Sequence, residues 1–185
     1  MFSIKNFLFF YIITSLFFLN VGCQPQEENE QELITDVSMS FTDSTGQQYH
    51  LSYIDADGAG GNAPQIIGDT LFSNTNYAVS IAVTNSSTNP ATDITQEIKN
   101  EGTQHQFFYL MDATNGATFT YNDADAGGNP IGIEAKFSAS QPSNAQLRLV
   151  LRHTPNKSAS GVSTGDITNA GGETDIDITY PLVIQ

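Results

Sequence analysis

Basic residues are scarce in this chain: six Lys and Arg stand against 20 Asp and Glu in 185 residues, a formal charge of −14. That balance excludes the ordinary nucleic-acid binder, which needs a basic face to displace counterions from phosphate. It equally argues against docking on anionic lipid through a polybasic patch. There is one cysteine, so neither an intramolecular disulfide framework nor a multi-thiolate zinc site can form. Tryptophan is absent and histidine occurs three times, at His50, His105 and His153. What remains is an acidic chain of a length that suits one domain with a real core.

The first 22 residues read as an address. Lys5 is their only charge, and an apolar stretch runs from Phe7 to Leu19, broken only by Thr14 and Ser15. A positive start and a short apolar core describe a signal peptide, too short for a comfortable permanent span. The stretch ends in Leu19-Asn20-Val21-Gly22-Cys23, which resembles a bacterial lipobox, with Asn20 where an aliphatic residue is common. The resemblance implies cleavage before Cys23 and acylation of its sulfur, so that the membrane is held through an N-terminal lipid. An ordinary signal peptide with an incidental cysteine is the alternative.

All 20 acidic residues lie after position 22, and they begin at once, in Gln24-Pro25-Gln26-Glu27-Glu28-Asn29-Glu30-Gln31-Glu32. A stretch this polar cannot pack, so residues 23–32 read as a solvated tether. They also resemble the acidic tag that follows the lipid cysteine in Bacteroidota lipoproteins sent to the cell surface, which implies display on the outer membrane. The periplasmic leaflet is the alternative.

From residue 33 onward the dominant period is two. Val37, Met39 and Phe41 alternate with polar neighbours, as do Tyr77, Val79, Ile81 and Val83. Leu147, Leu149 and Leu151, and Ile176, Ile178, Tyr180, Leu182 and Ile184, repeat the pattern. Each is a half-buried strand. Weaker strands are expected at 48–54, 105–111, 118–122 and 131–138, about eight in all. Pro181 has no amide hydrogen for a ladder, which predicts an edge or a break there. One segment reads as helix: Asp93 can cap Ile94–Lys99, Gln96 can complete a capping box, and Gly102 can stop it. The expectation for 33–185 is therefore an all-β antiparallel sandwich, Ig-like or similar, with one short crossover helix.

Several segments recur, in this order, in a family of uncharacterised Bacteroidota lipoproteins that the chain resembles from about residue 32 to 185. They are Glu32-Leu33-Ile34-Thr35, the Asp55–Pro64 loop, Asp93–Ile98, His105-Gln106-Phe107-Phe108, Leu151–Lys157 and Asn169–Ile176. Some members carry the label of a type 1 periplasmic binding fold. Such a fold needs alternating βαβ units and far more helix than this sequence offers. The resemblance implies an address and no activity.

Two constellations can carry chemistry. The loops Asp55-Ala56-Asp57-Gly58 and Asp123-Ala124-Asp125-Ala126-Gly127-Gly128 pair aspartates two apart with glycines, which suits calcium; Glu134 falls at the twelfth place from Asp123. The alternative is a pair of Gly/Asp turns, which select the same residues for backbone reasons. His153 is in phase with Leu147, Leu149 and Leu151, and His105 with Phe107, Tyr109 and Met111. If those strands are neighbours, the two imidazoles meet, and Glu173 or Asp175 adds a carboxylate, a set for zinc or copper. The alternative is a hydrogen-bonded histidine at a strand end. On the polar faces, Arg148 and Arg152 are expected to pair with Asp175 and Asp177.

Sequence signatures of catalysis are sparse: there is no H-E-x-x-H and no glycine-rich phosphate loop after a strand. Lipidation of Cys23 would leave no free thiol. These observations lead to the expectation of a non-enzymatic binding or structural module at the outer membrane, with calcium at Asp55, Asp57, Asp123, Asp125 and Glu134 as its candidate stabilising ion. A zinc or copper protein using His105, His153 and Glu173 is the rival, and an unrecognised hydrolase comes third.

Overall fold

The computed structural model describes residues 33–57, 61–112 and 116–185. The signal peptide expected at 1–22, the lipid attachment expected at Cys23 and the tether expected at 23–32 lie outside the described residues. The strands are β1 (Asp36–Thr42), β2 (Gln48–Ile54), β3 (Gln65–Gly68), β4 (Thr70–Leu71), β5 (Thr75–Asn85) and β6 (Thr92–Asp93). After the helix α1 (Ile94–Asn100) come β7 (His105–Met111), β8 (Thr118–Tyr121), β9 (Glu134–Ala139), β10 (Ser143–His153) and β11 (Glu173–Ile184). One sheet runs β3-β2-β1-β5-β9-β8, with β6 paired to β5; the other runs β4-β11-β10-β7. Every pairing is antiparallel except the two-residue match of β4 to β11.

The fold is an all-β sandwich, and the period-two pattern is its cause. Val37, Met39 and Phe41 of β1 and Tyr77, Val79, Ile81 and Val83 of β5 face one core with Leu147, Leu149 and Leu151 of β10 and Ile176, Ile178, Tyr180, Leu182 and Ile184 of β11. Phe41 and Leu149 have no exposed surface at all. Each large aliphatic or aromatic side chain so buried contributes about 1.5–3 kcal/mol. The Tyr180 hydroxyl crosses between the sheets and donates to the Val37 carbonyl at 3.2 Å.

The mixed pattern of β7, apolar on both faces, has a structural reason. Phe107 faces the main core, while Phe108 packs with Val150 against Val162 and Ala170 of the segment that covers the back of the second sheet. That segment, residues 154–172, carries two 3₁₀ turns, Val162–Thr164 and Ile167–Asn169. Three strands exceed the eight expected. β3, β4 and β6 are two to four residues long, too short to show a period. β9 begins at Glu134 rather than near 131, because Ile131 and Ile133 bond across to Phe107 and Ile81 without joining the ladder.

α1 is capped as its sequence indicates: the Asp93 side chain accepts from the Gln96 amide at 3.4 Å. The capping box is not completed, since Gln96 Nε2 donates forward to Asn100 at 3.0 Å. Pro181 sits opposite Gln146 in β11, whose other side is covered by β4 only at Val183 and Ile184, so the edge placement holds. Among the described residues no helix is long and apolar enough to cross a membrane.

Candidate metal centre

β7 opens on His105 and β10 ends on His153, and the antiparallel register sets these two residues directly opposite each other. Opposed residues share a face. Their rings stack, with centroids 4.8 Å apart and planes 8° from parallel. The third member comes from β11. Leu151 pairs with Ile176 and Arg152 with Thr174, so Asp175 has no partner on β10 and forms a bulge. Regular alternation would put Asp175 outward with Asp177; a bulge re-aims one side chain. Asp175 Oδ2 lies 3.8 Å from His105 Nε2. Among the described residues, His105, His153 and Asp175 form the one group of three such side chains whose donor atoms converge, all within 4.8 Å.

The carboxylate of the histidine pair is therefore Asp175 and not Glu173. Glu173 stands opposite His153 in the register but is exposed. Arg152 likewise departs from expectation. Its guanidinium donates to Thr174 Oγ1 at 2.6 Å and to the Gly172 carbonyl at 3.4 Å, leaving Asp175 to the histidines. The other expected ion pair is present: Arg148 grips Asp177 with two bonds of 2.6 and 2.7 Å.

His105 is oriented for ligation. Its Nδ1 lies 3.3 Å from the Glu101 carbonyl. A carbonyl only accepts, so Nδ1 carries a proton, and in the neutral ring the lone pair is then on Nε2, on the Asp175 side. Metal-bound histidines are commonly held this way by a backbone carbonyl. Burial pushes the His105 imidazole below its ordinary value; the Glu101 carbonyl pulls it up, and the adjacent His153 pushes it further down. Neutral imidazole is the metal-binding form. Burial raises the Asp175 carboxyl, against the opposing pull of His105 and His153.

The fit to an ion can be checked by length. Tetrahedral zinc, with bonds of about 2.0–2.1 Å, needs its donors roughly 3.3 Å apart. The His105–Asp175 gap of 3.8 Å is too long for a hydrogen bond and close to that span. The widest separation in the set, 4.8 Å, must close by about 1.5 Å for all three to bind one ion. Three protein ligands leave a fourth position for water or an exchanging ligand.

Backbone strain surrounds the site. Thr154, directly after His153, holds φ at +50°, a left-handed value rare for a β-branched residue. Gly172 leads into the bulge at φ +72°, and a side chain there would collide with the His153 carbonyl oxygen.

The aspartate loops are engaged by the protein's own donors, except at Asp55 Oδ1, a buried oxygen without a hydrogen-bond partner among the described residues. Asp123 accepts from the amides of Gly132, Ile133 and Glu134 at 2.8–3.0 Å. Asp125 accepts from the Gly127 and Asn129 amides and from Lys157 Nζ at 3.0 Å. The cation of this loop is thus Lys157, and Glu134 contributes only its amide. In the first loop Asp57 accepts from the Asn62 amide and side chain, at 3.0 and 2.7 Å. Asp55 accepts from the Tyr53 hydroxyl at 3.2 Å. The structure does not gather these carboxylates into a set of three.

Gly161-Val162-Ser163-Thr164-Gly165 spells the G-x-S-x-G of a nucleophile elbow, a match that period reading passes over. Its setting excludes that role. An elbow joins a strand to a helix, whereas Val162–Thr164 is a 3₁₀ turn between two left-handed glycines in the covering segment.

No family model matches this chain, and neither a curated protein nor a solved structure matches it.

Proposed function

We propose that this chain is a lipid-anchored envelope protein whose β-sandwich domain binds a divalent transition metal, zinc or copper, through His105, His153 and Asp175. The observation that carries the reading is the convergence of these three donors from adjacent strands, with one imidazole already fixed by a carbonyl. Imidazole and carboxylate together favour zinc or copper over calcium or magnesium. The strong negative charge of the body raises the local concentration of cations. The open fourth position suits an ion that is exchanged or presented.

The address rests on Gly22-Cys23 after the apolar stretch and on the acidic tether behind it. Mass spectrometry of the mature N-terminal peptide tests it: a lipidated Cys23 is expected, and a free thiol or a different cleavage point contradicts it. Protease shaving of intact cells separates surface display from the periplasmic leaflet.

The metal reading is tested by thermal melting of the full-length protein in detergent with EDTA, calcium, zinc and copper in turn. A ligand at a hundred times its Kd adds about 2.7 kcal/mol. Zinc or copper should raise the melting temperature, and His153→Ala should abolish the rise. A calcium shift alone would instead favour the aspartate loops. No shift with zinc or copper contradicts the reading.

A further inference from the structure

Lys157 is a buried ammonium with each of its three N–H bonds matched. Nζ donates to the Gly102 carbonyl, to Asp125 Oδ2 at 3.0 Å and to the Pro130 carbonyl at 2.9 Å. The residue is 6% exposed, and its partner carboxylate is more buried still. An ammonium has three donors and no acceptor, so this cradle of three oxygens satisfies it completely. Three separate stretches of chain are joined at one point: the end of α1, the Asp123–Pro130 loop and the start of the covering segment.

Two of those stretches carry the metal ligands. Gly102 opens the 3₁₀ turn Gly102–Gln104, which delivers His105, and the preceding residue supplies the carbonyl that orients His105 Nδ1. The Thr154 amide, one residue after His153, donates to the Gln104 carbonyl of the same turn at 2.6 Å. Asn156, beside Lys157, donates to the Ala170 carbonyl at 2.7 Å and so ties in the run toward Gly172 and the bulge. The turns beneath His105, His153 and Asp175 thus meet within a few residues of Lys157.

We infer that Lys157, clamped by Asp125, is the positioning residue of the centre, a built-in cation that holds the frame of the two imidazoles. The inference rests on the metal reading for its consequence, but its geometric content stands without metal. Lys157 touches none of the three ligands, so it acts through the turn at Gly102–Gln104 and through Thr154. Partners that orient ligands from outside the coordination sphere typically change metal affinity about 10–100-fold.

Two measurements on the full-length protein test it, using Lys157→Met/Asp125→Asn, which removes both charges together, and Asp125→Asn alone. Without metal, NMR should show cross-relaxation between the His105 and His153 ring protons in the wild type, lost in the double variant while strand dichroism is retained. With copper, affinity should fall at least tenfold and the Cu(II) EPR spectrum should change. If the double variant does not fold, Asp125→Asn carries the test, with weakened ring contacts and a smaller loss of affinity expected. A folded variant that keeps the ring contacts, the affinity and the spectrum overturns the inference. A wild type that shows ring contacts but binds no copper or zinc overturns the metal reading and leaves the positioning of the rings by Lys157 to be decided on the NMR arm.

Discussion

His105 Nε2 and Asp175 Oδ2 face each other across 3.8 Å although regular alternation along β11 would send Asp175 to the opposite side of the sheet. The bulge between Leu151 and Arg152 is what brings them together. It follows that Asp175→Asn should weaken zinc and copper binding by at least the ~10–100-fold that loss of a mere orienting partner brings. Glu173→Gln, two residues away and exposed, should leave the affinity unchanged. Isothermal titration of the two variants checks this; equal losses at both positions would count against the bulge as the source of the ligand.

Gly172→Ala should be costly although it removes nothing. The residue needs φ near +72°, and its new methyl group would meet the His153 carbonyl oxygen. A backbone held in such a region costs a residue with a side chain about 1–3 kcal/mol, before any clash. Gly171→Ala is the control: its φ is also positive, but open space surrounds it. Urea unfolding should place Gly172→Ala clearly below Gly171→Ala.

Alkaline pH should destabilise the domain. Burial pushes Tyr121 up to about 12, and it also raises Tyr109 and Tyr180 well above their ordinary value. Above pH 10 these folded tyrosines keep protons that the unfolded chain releases. Their stabilisation is therefore complete below pH 10 and is lost as pH rises through the folded values. Burial lowers Lys157, against its bond to Asp125, so its contribution has the opposite sign and ends near pH 10.5. Between pH 10.5 and 12 the tyrosines alone set the slope. Tyr121→Phe should flatten it by about 1.4 kcal/mol per pH unit, read from urea midpoints at several pH values.

Leu149→Ala should cost roughly 2–5 kcal/mol, because Leu149 is fully enclosed between the sheets. Arg148→Ala, on the same strand but in a half-exposed ion pair with Asp177, should cost about 0.2–1 kcal/mol. Denaturant unfolding of the two variants gives the contrast directly.

The core was legible because the strands that build it bury one face. Phe41, Ile81, Leu149 and Ile178 all lie inside, where alternation puts them. β3 was not legible, since its four residues are exposed on both sides and obey no period. The histidine pair was half legible: phase along β7 and β10 gives the inward face of each strand, but no period says that two strands are neighbours. The choice of Asp175 over Glu173 was not legible, because it turns on a bulge, a register event of one residue that is visible only once both strands are paired. Lys157 escaped for another reason. A turn lysine carries no pattern, and only the placement of Gly102, Asp125 and Pro130 around it reveals what it holds.

The central claim is that one transition-metal ion is held by two imidazoles and a carboxylate. Pulsed EPR on the full-length protein loaded with one equivalent of Cu(II) addresses it most directly, because imidazole nitrogens leave their own modulation on the copper signal. Two coupled imidazoles are expected in the wild type, one in His153→Ala, and an altered carboxylate environment in Asp175→Asn. Copper that shows no imidazole coupling, or the same coupling in His153→Ala as in the wild type, would contradict the account.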